Sequence, residues 1–335
     1  MATIVPPLPE RRRGIGCLLA LMAGLALLGG IGFALAGFAG AAGGPSRIRE
    51  IVTERVTGAH GRLAWIEARG VMFTGGGGLG EGAGITESLL ARLEHAAQDE
   101  SVAGILLELD TPGGSVTDAD LVHERLVRLK AQGKKIVVLM GDLCASGGIY
   151  AAVAADKVLA HPTTITGSIG VIISALNVSD LMANYGIKDT SITSGPNKAM
   201  LSPTRPVDPE HEAILKGVVD ALYQRFVKLV AEGRNLPVEK VRALADGRIY
   251  TADQAKANGL IDGIEYTEGA MTALRELTAG GPYDVVRYEM EPALFDLFKA
   301  AVSRPDPQSA LAARVLAGPR ALYMLSPGLT GGGLP

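Results

Sequence analysis

The run Lys135-Ile136-Val137-Val138-Leu139-Met140 leads through Gly141-Asp142-Leu143-Cys144-Ala145 to Ser146-Gly147-Gly148, and then to the Ala-rich stretch Ile149–Ala155. A β-branched, almost wholly apolar run is a strand buried on both faces, so the chain must build a sheet covered on each side. The small side chains that follow suit a helix packed closely against that sheet. A serine at such a strand-to-helix turn, flanked by glycine, has an exposed hydroxyl and free backbone N–H groups beside it. Those donors can stabilise an oxyanion. The same residues also suit a plain turn that merely starts a helix.

Further apolar runs frame this one. Leu63–Ala68 and Gly104–Asp110 read as strands before it, and Val158–Ala160 as a short strand after it. Between them lie helical stretches, Glu87–Ala97 with Thr86 as its expected N-cap and Asp118–Gln132 with Leu121, Leu126 and Leu129 on one side. Strands alternating with crossover helices predict an α/β fold with a parallel sheet. Sites in such sheets lie at the carboxyl ends of strands. Gly113-Gly114 and Ser146 each follow a strand end, so they can converge. Pro209–Gly233 is a long amphipathic helix, and 236–244, 252–259, 268–277 and 309–316 read as shorter ones.

The 335 residues are 47% hydrophobic but only 4% aromatic, so the core is built from Ala, Val, Leu and Ile. A net charge of −3 with dispersed basic residues leaves no electrostatic footprint for nucleic acid. At the N-terminus, Arg11-Arg12-Arg13 precede Gly14 to Gly44, a stretch without a single charge. It exceeds the ~20 residues that span a bilayer, and the arginines place the N-terminus in the cytoplasm. Small residues near Ala39 and Ala41 would also suit a cleavage site; a retained single-pass anchor is the reading adopted. The expected organisation is a cytoplasmic N-terminus (1–13), a transmembrane anchor (14–44), a linker (45–62), a catalytic domain (63–278) and a C-terminal extension (279–335).

Cys17 lies in the apolar N-terminal stretch and Cys144 in the turn before Ser146, so they do not read as a disulfide. Cys144 reads as a small buried residue more readily than as a nucleophile. Gly75–Gly84 contains a formal G-x-G-x-x-G match, but glycine runs produce one by chance and no Gly-Lys-Ser/Thr follows. No cofactor and no metal is expected.

A serine hydroxyl is inert at neutral pH until a base takes its proton. None of His60, His95, His123, His161 and His211 falls in a turn resembling an active-site loop, though a spatial neighbour stays open. Lys198, in Ser194-Gly195-Pro196-Asn197-Lys198-Ala199-Met200, is the other candidate. A lysine in such a loop is ordinarily solvated. Acting as a base takes a lysine from ~10.4 towards 7–8 and costs ~3–5 kcal/mol, which demands a dry site. Ser168, on a glycine-flanked turn, is a candidate to orient the neutral amine.

Four ordered segments resemble the signal peptide peptidase A family: Asp110-Thr111-Pro112-Gly113-Gly114-Ser115-Val116, Ala145-Ser146-Gly147-Gly148-Ile149-Tyr150, Thr166-Gly167-Ser168-Ile169-Gly170-Val171 and Ser194–Lys198. Asp246-Gly247-Arg248-Ile249-Tyr250-Thr251, Gln254-Ala255 and Gly259–Asp262 extend the match. The resemblance runs from about residue 63 to 270 and is to the shorter, single-repeat form. It implies a Clp protease/crotonase-like fold and a Ser/Lys serine peptidase of the inner membrane with its domain on the periplasmic side. Carried over, Ser146 is the nucleophile, Lys198 the base and Ser168 its partner, with the N–H groups of Gly113 and Gly147 as oxyanion hole. The implied substrates are remnant signal peptides and other unfolded apolar peptides. The implied assembly is a homo-oligomeric ring in which neighbours share serine and lysine. Asp110-Thr111 stands where Asn-Ser is often seen. Alternatives from the same residues are a membrane protease acting on stomatin-type proteins, a crotonase-like acyl binder and a non-catalytic scaffold.

Overall fold

The computed structural model describes residues 48–75, 84–290 and the backbone of 321–324. The expected anchor at 14–44, Cys17, most of the Gly75–Gly84 loop and the expected helix at 309–316 lie outside the described residues. Among the described residues no helix is long and apolar enough to cross a membrane.

The central sheet is ordered β1 (Ile48–Glu54), β11 (Tyr283–Met290), β2 (Gly61–Arg69), β3 (Val102–Thr111), β5 (Lys135–Ala145), β6 (Lys157–Ala160) and β10 (Gly263–Ile264). The pairings from β11 to β10 are all parallel. The expected parallel α/β sheet is therefore present. Residues 45–62 and 279–335, expected as linker and extension, supply β1 and β11 to this same sheet. Tyr283-Asp284-Val285-Val286-Arg287-Tyr288 carries the mixed polar and apolar pattern of a strand towards the sheet's edge, with Tyr283, Val285, Val286 and Tyr288 buried.

Both faces of the sheet are covered, as the apolar runs require. On β3, Ile105, Leu107 and Leu109 enter one core while Leu106 enters the other. On β5, Ile136, Val138 and Met140 face the first core, and Val137 and Leu139 the second. The first core is closed by α1 (Thr86–Gln98), α2 (Val116–Ala131), α3 (Gly147–Ala152) and the C-terminal part of α5 (Pro209–Arg234). The second is closed by α8 (Thr267–Leu277), which contributes Ala270, Met271, Ala273 and Leu274. The remaining helices are α4 (Ser179–Asn184), α6 (Val238–Leu244) and α7 (Ala252–Asn258).

Two helix starts show what the sequence encodes locally. Ile85, not Thr86, occupies the N-cap of α1, without a side-chain cap, and Thr86 is buried inside the first turn. At α2 the hydroxyl of Ser115 accepts from Asp118 N–H, a conventional N-cap one residue after the glycine pair.

One stretch departs from the rest. From Gly170 through Arg225 no residue is buried. It leaves the core at β8 (Ile172–Ile173), includes α4 and a 3₁₀ turn at Pro196–Ala199, and returns along the first turns of α5. Ile172, Leu176, Leu181, Tyr185, Ile187, Ile192, Val207, Ile214 and Val218 are exposed on it, Tyr185 at 77% and Ile192 completely.

Candidate active site

The position of Ser146 follows from the length of β5. Its first half pairs with β6, Val137 to Met140 opposite Lys157 to Ala160. Its last three residues, Leu143 to Ala145, pair instead with β7 (Ile165–Gly167). The change of partner coincides with an irregular register between β3 and β5 after Leu109. A Cβ at Gly141 would lie 2.8 Å from Cβ of Asp110, and the Asp110 carboxylate accepts from Leu143 N–H at 3.1 Å. The strand thus delivers Ser146 away from the main sheet, at the end of a second pairing.

There Ser146 takes φ 53° and ψ −111°, and it is 1% exposed. A non-glycine residue in that region stores strain of about 1–3 kcal/mol, a cost typical of functional turns. Its N–H donates to the Gly167 carbonyl at 2.8 Å, and its carbonyl accepts from Tyr150 N–H at 3.0 Å as α3 begins. Ala145 is the register partner of Gly167, so the residues that follow, Ser146 and Ser168, leave adjacent paired strands. Ser168 is also left-handed, φ 51°, and is fixed by its N–H to the Arg248 carbonyl at 2.7 Å. Neither serine hydroxyl has a hydrogen-bond partner among the described residues.

The glycine pair arrives from the other side. Gly113 has φ 94°, a value that favours glycine, and opens β4 (Gly113–Ser115). Met72 N–H donates to the Gly113 carbonyl at 2.9 Å, and Ser115 N–H to the Met72 carbonyl at 2.9 Å. A Cβ at Gly114 would sit 2.1 Å from the Met72 oxygen, so only glycine permits this approach. The Gly113 N–H itself donates to the Thr111 hydroxyl at 3.1 Å. A substrate oxygen using that donor has to share it with Thr111 or displace the hydroxyl.

Behind the serine, Tyr150 is fully buried and its hydroxyl donates to Asp120 at 2.6 Å; Arg225 donates to the same carboxylate oxygen at 2.6 Å. Burial works against charge on Asp120, but these hydrogen bonds prevail and hold its carboxyl below the usual range. Helix α3 is thereby tied to α2 and α5. His123 packs edge-on against the Tyr150 ring at 5.6 Å, with burial lowering its pKa. No histidine bonds to Ser146 among the described residues.

Lys198 does not reach this cluster within the chain. It is exposed in the 3₁₀ turn of the core-less stretch, and its ammonium has no partner among the described residues. Cys144 is completely buried, and burial pushes its thiol far up, so it stays protonated and inert. We expect iodoacetamide at pH 8 to leave Cys144 unmodified in the folded chain and to alkylate it in denaturant. Rapid native labelling would contradict that burial. Two features were not read from the sequence. One is Thr111 on the Gly113 donor, signalled only by a hydroxyl two residues before the glycine; the other is the stretch without a core, which takes in the first turns of the helix expected as amphipathic and leaves Ile214 and Val218 exposed on it.

Comparisons with known proteins bear on this site. The family model described as Peptidase family S49 matches residues 128–280, which include Ser146, Ser168 and Lys198. A provisionally named protease of Synechocystis sp. is 36% identical over 214 residues, 64% of this chain and 73% of that protein. The chain belongs to peptidase family S49. The chain covers less than two thirds of the length of other curated relatives that it matches. A provisionally named signal peptide peptidase SppA of Enterococcus faecium is 36% identical over 62% of this chain, which covers 61% of its length. Protease 4 of Salmonella typhi is 31% identical over 71% of this chain and 38% of its own. Among solved structures, a ClpP1 mutant of Listeria monocytogenes aligns with a TM-score of 0.41 at 17% identity, covering 62% of this chain and 94% of that one.

Proposed function

We propose that this S49 chain is a membrane-anchored serine endopeptidase that degrades remnant signal peptides by acyl-enzyme chemistry. The observation that carries the reading is Ser146, held left-handed at the end of β5 and paired through Ala145–Gly167 with Ser168. Ser146 Oγ attacks the substrate carbonyl carbon while the Lys198 amine takes its proton. The oxyanion is met by the N–H groups of Gly147 and Gly113, the latter turning from Thr111. Lys198 returns the proton to the leaving amine, and water resolves the ester. Ser168 accepts from or donates to the neutral amine and keeps it aimed at Ser146.

The lysine comes from a neighbouring subunit in this reading. Lys198 rides on the stretch from Gly170 to Arg225, which carries nine exposed large apolar side chains and no core of its own. Such a surface asks for a partner, and a second copy supplies both burial and the base. The fold is read as Clp protease/crotonase-like because β5 passes from a parallel sheet into a second pairing that ends at the nucleophile. Anchoring in the inner membrane with the domain on the periplasmic side rests on Arg11–Arg13 and the uncharged stretch 14–44. Signal peptides as substrates rest on the names of the S49 relatives and suit an anchored enzyme.

A serine-directed fluorophosphonate is expected to label the full-length protein at Ser146 alone, and prior labelling to abolish turnover of a synthetic signal peptide. Absence of labelling together with absence of turnover would move the chain to a binding scaffold.

A further inference from the structure

We infer, on the peptidase reading above, that Asp189 is the positioning residue of the base: its carboxylate ties together the two ends of the loop that presents Lys198. Lys198 lies seven residues after Ser191 and seven before Arg205. A base has to be placed closely, since a misplacement of about 1 Å costs about 10²-fold in rate. Groups placed that closely are ordinarily locked by packing and supporting hydrogen bonds. No residue from Gly170 to Arg225 is buried, so packing is not the means here. Beneath the loop, Pro196, Ala199 and Leu201 line a cavity of about 720 Å³ together with Leu215 and Val219 of α5.

Polar contacts converge instead on one side chain. Ser191 donates to Asp189 Oδ1 twice, through its N–H at 2.7 Å and through its hydroxyl. The other oxygen, Oδ2, accepts from the Thr204 hydroxyl at 2.7 Å and from Arg205 Nε at 3.1 Å. One oxygen therefore holds the loop where it begins and the other where it ends. Arg205 completes the ring, with Nη2 donating to the Ser191 carbonyl at 2.6 Å. Asn177 Nδ2 donates to the Arg205 carbonyl at 2.7 Å and Val178 N–H to the Pro203 carbonyl at 2.7 Å, which joins the loop's exit to the start of α4. The Asp189 side chain is only 11% exposed although no core lies beneath it.

The loop also holds a conformation that a solvated turn would not keep. Leu201 is left-handed at φ 59°, and a non-glycine residue stays there only where its surroundings impose it. Ser202 N–H donates to the Ala199 carbonyl at 3.1 Å, and the Ser202 and Thr204 hydroxyls lie 3.0 Å apart. The Thr204 proton is committed to Asp189, so Ser202 donates to Thr204 and the constraint on Leu201 runs back to the carboxylate. The bonds from Ser191, Thr204 and Arg205 hold the Asp189 carboxyl well below the usual range. It stays ionised wherever Lys198 can lose its proton, and the loop stays closed there.

Kinetics of the full-length protein test this. Asp189→Ala is expected to lower kcat for a synthetic signal peptide about 10²-fold, leaving KM within about twofold and the Tm within a few degrees. A serine-directed fluorophosphonate should still reach one label per chain at Ser146, at a rate reduced by a similar factor, because only the aim of the base has changed. Arg205→Lys keeps a charge beside Asp189 but cannot also reach the Ser191 carbonyl, and should lose about tenfold. In a Lys198→Ala background, adding Asp189→Ala should leave the labelling rate unchanged, since Asp189 acts through the lysine alone. An Asp189→Ala enzyme that keeps the parent's kcat overturns this inference and leaves the peptidase reading standing. So does a loss carried by KM, labelling of only a fraction of the chains, or a further loss in the Lys198→Ala background, each of which makes Asp189 something other than an aid to the base. A parent chain that neither turns over peptide nor takes the label overturns the peptidase reading and this inference with it.

Discussion

Ser146→Ala and Lys198→Ala each reduce turnover of a synthetic signal peptide by a factor of roughly 10⁴ or more, and an equimolar mixture of the two regains about a quarter of parent activity. The first part follows from the unit behaviour of nucleophile and base: losing either leaves only binding and oxyanion stabilisation. The second part follows from where the structure puts them. Ser146 is 1% exposed behind β5, whereas Lys198 is exposed on a stretch with no core in its own chain. If serine comes from one subunit and lysine from the next around a ring, a site in a random mixture is complete when a Lys198→Ala chain supplies the serine and a Ser146→Ala chain the lysine. Each condition holds half the time, which gives about one site in four. Mixtures that exchange subunits freely and stay inactive would place the dyad within one chain.

The parts of this site that the sequence displayed are those made by the backbone of one chain. The apolar run at 135–140 and the glycines after it announce a buried strand and a tight turn, and β5, Ser146 and Gly147 are where those residues require them. The strand continues five residues further than the apolar run, past Gly141 and the exposed Asp142, because its last three residues pair with β7 and bury Cys144 and Ala145. Gly141 and Asp142 interrupt the apolar pattern, which is what hid the continuation in the sequence. The N-cap of α1 was displaced for a related reason: burial of Thr86 against the core outweighs the hydrogen bond its hydroxyl would make as a cap. β11 was obscured by Asp284, Arg287 and Glu289 at an outer position of the sheet, where one side of each residue reaches solvent. The setting of Lys198 was not legible either: the structure leaves it exposed in a 3₁₀ turn on a stretch without buried residues, where nothing in the local sequence marks a dry site.

The same asymmetry predicts the behaviour of the chain when its unburied stretch is altered. Ile187→Asp combined with Ile192→Asp is expected to yield a monomer by light scattering in mild detergent, with the parent's Tm to within a few degrees and no detectable turnover. Both side chains are exposed, Ile192 fully, so nothing in the subunit's own core is disturbed. Burying two isoleucines against a neighbour contributes roughly 1.5–3 kcal/mol each, and placing two carboxylates there instead adds a desolvation cost of several kcal/mol. An interface loses that sum once per subunit contact, which is enough to dissociate a ring at micromolar protein. Monomerisation then removes Lys198 from every Ser146 without touching either residue, so activity should fall as far as in Lys198→Ala. Fluorophosphonate reactivity should fall with it, because the serine has lost its base. A double variant that stays oligomeric, or that becomes monomeric and keeps its turnover, would refute the shared dyad and return the base to the chain that carries the nucleophile.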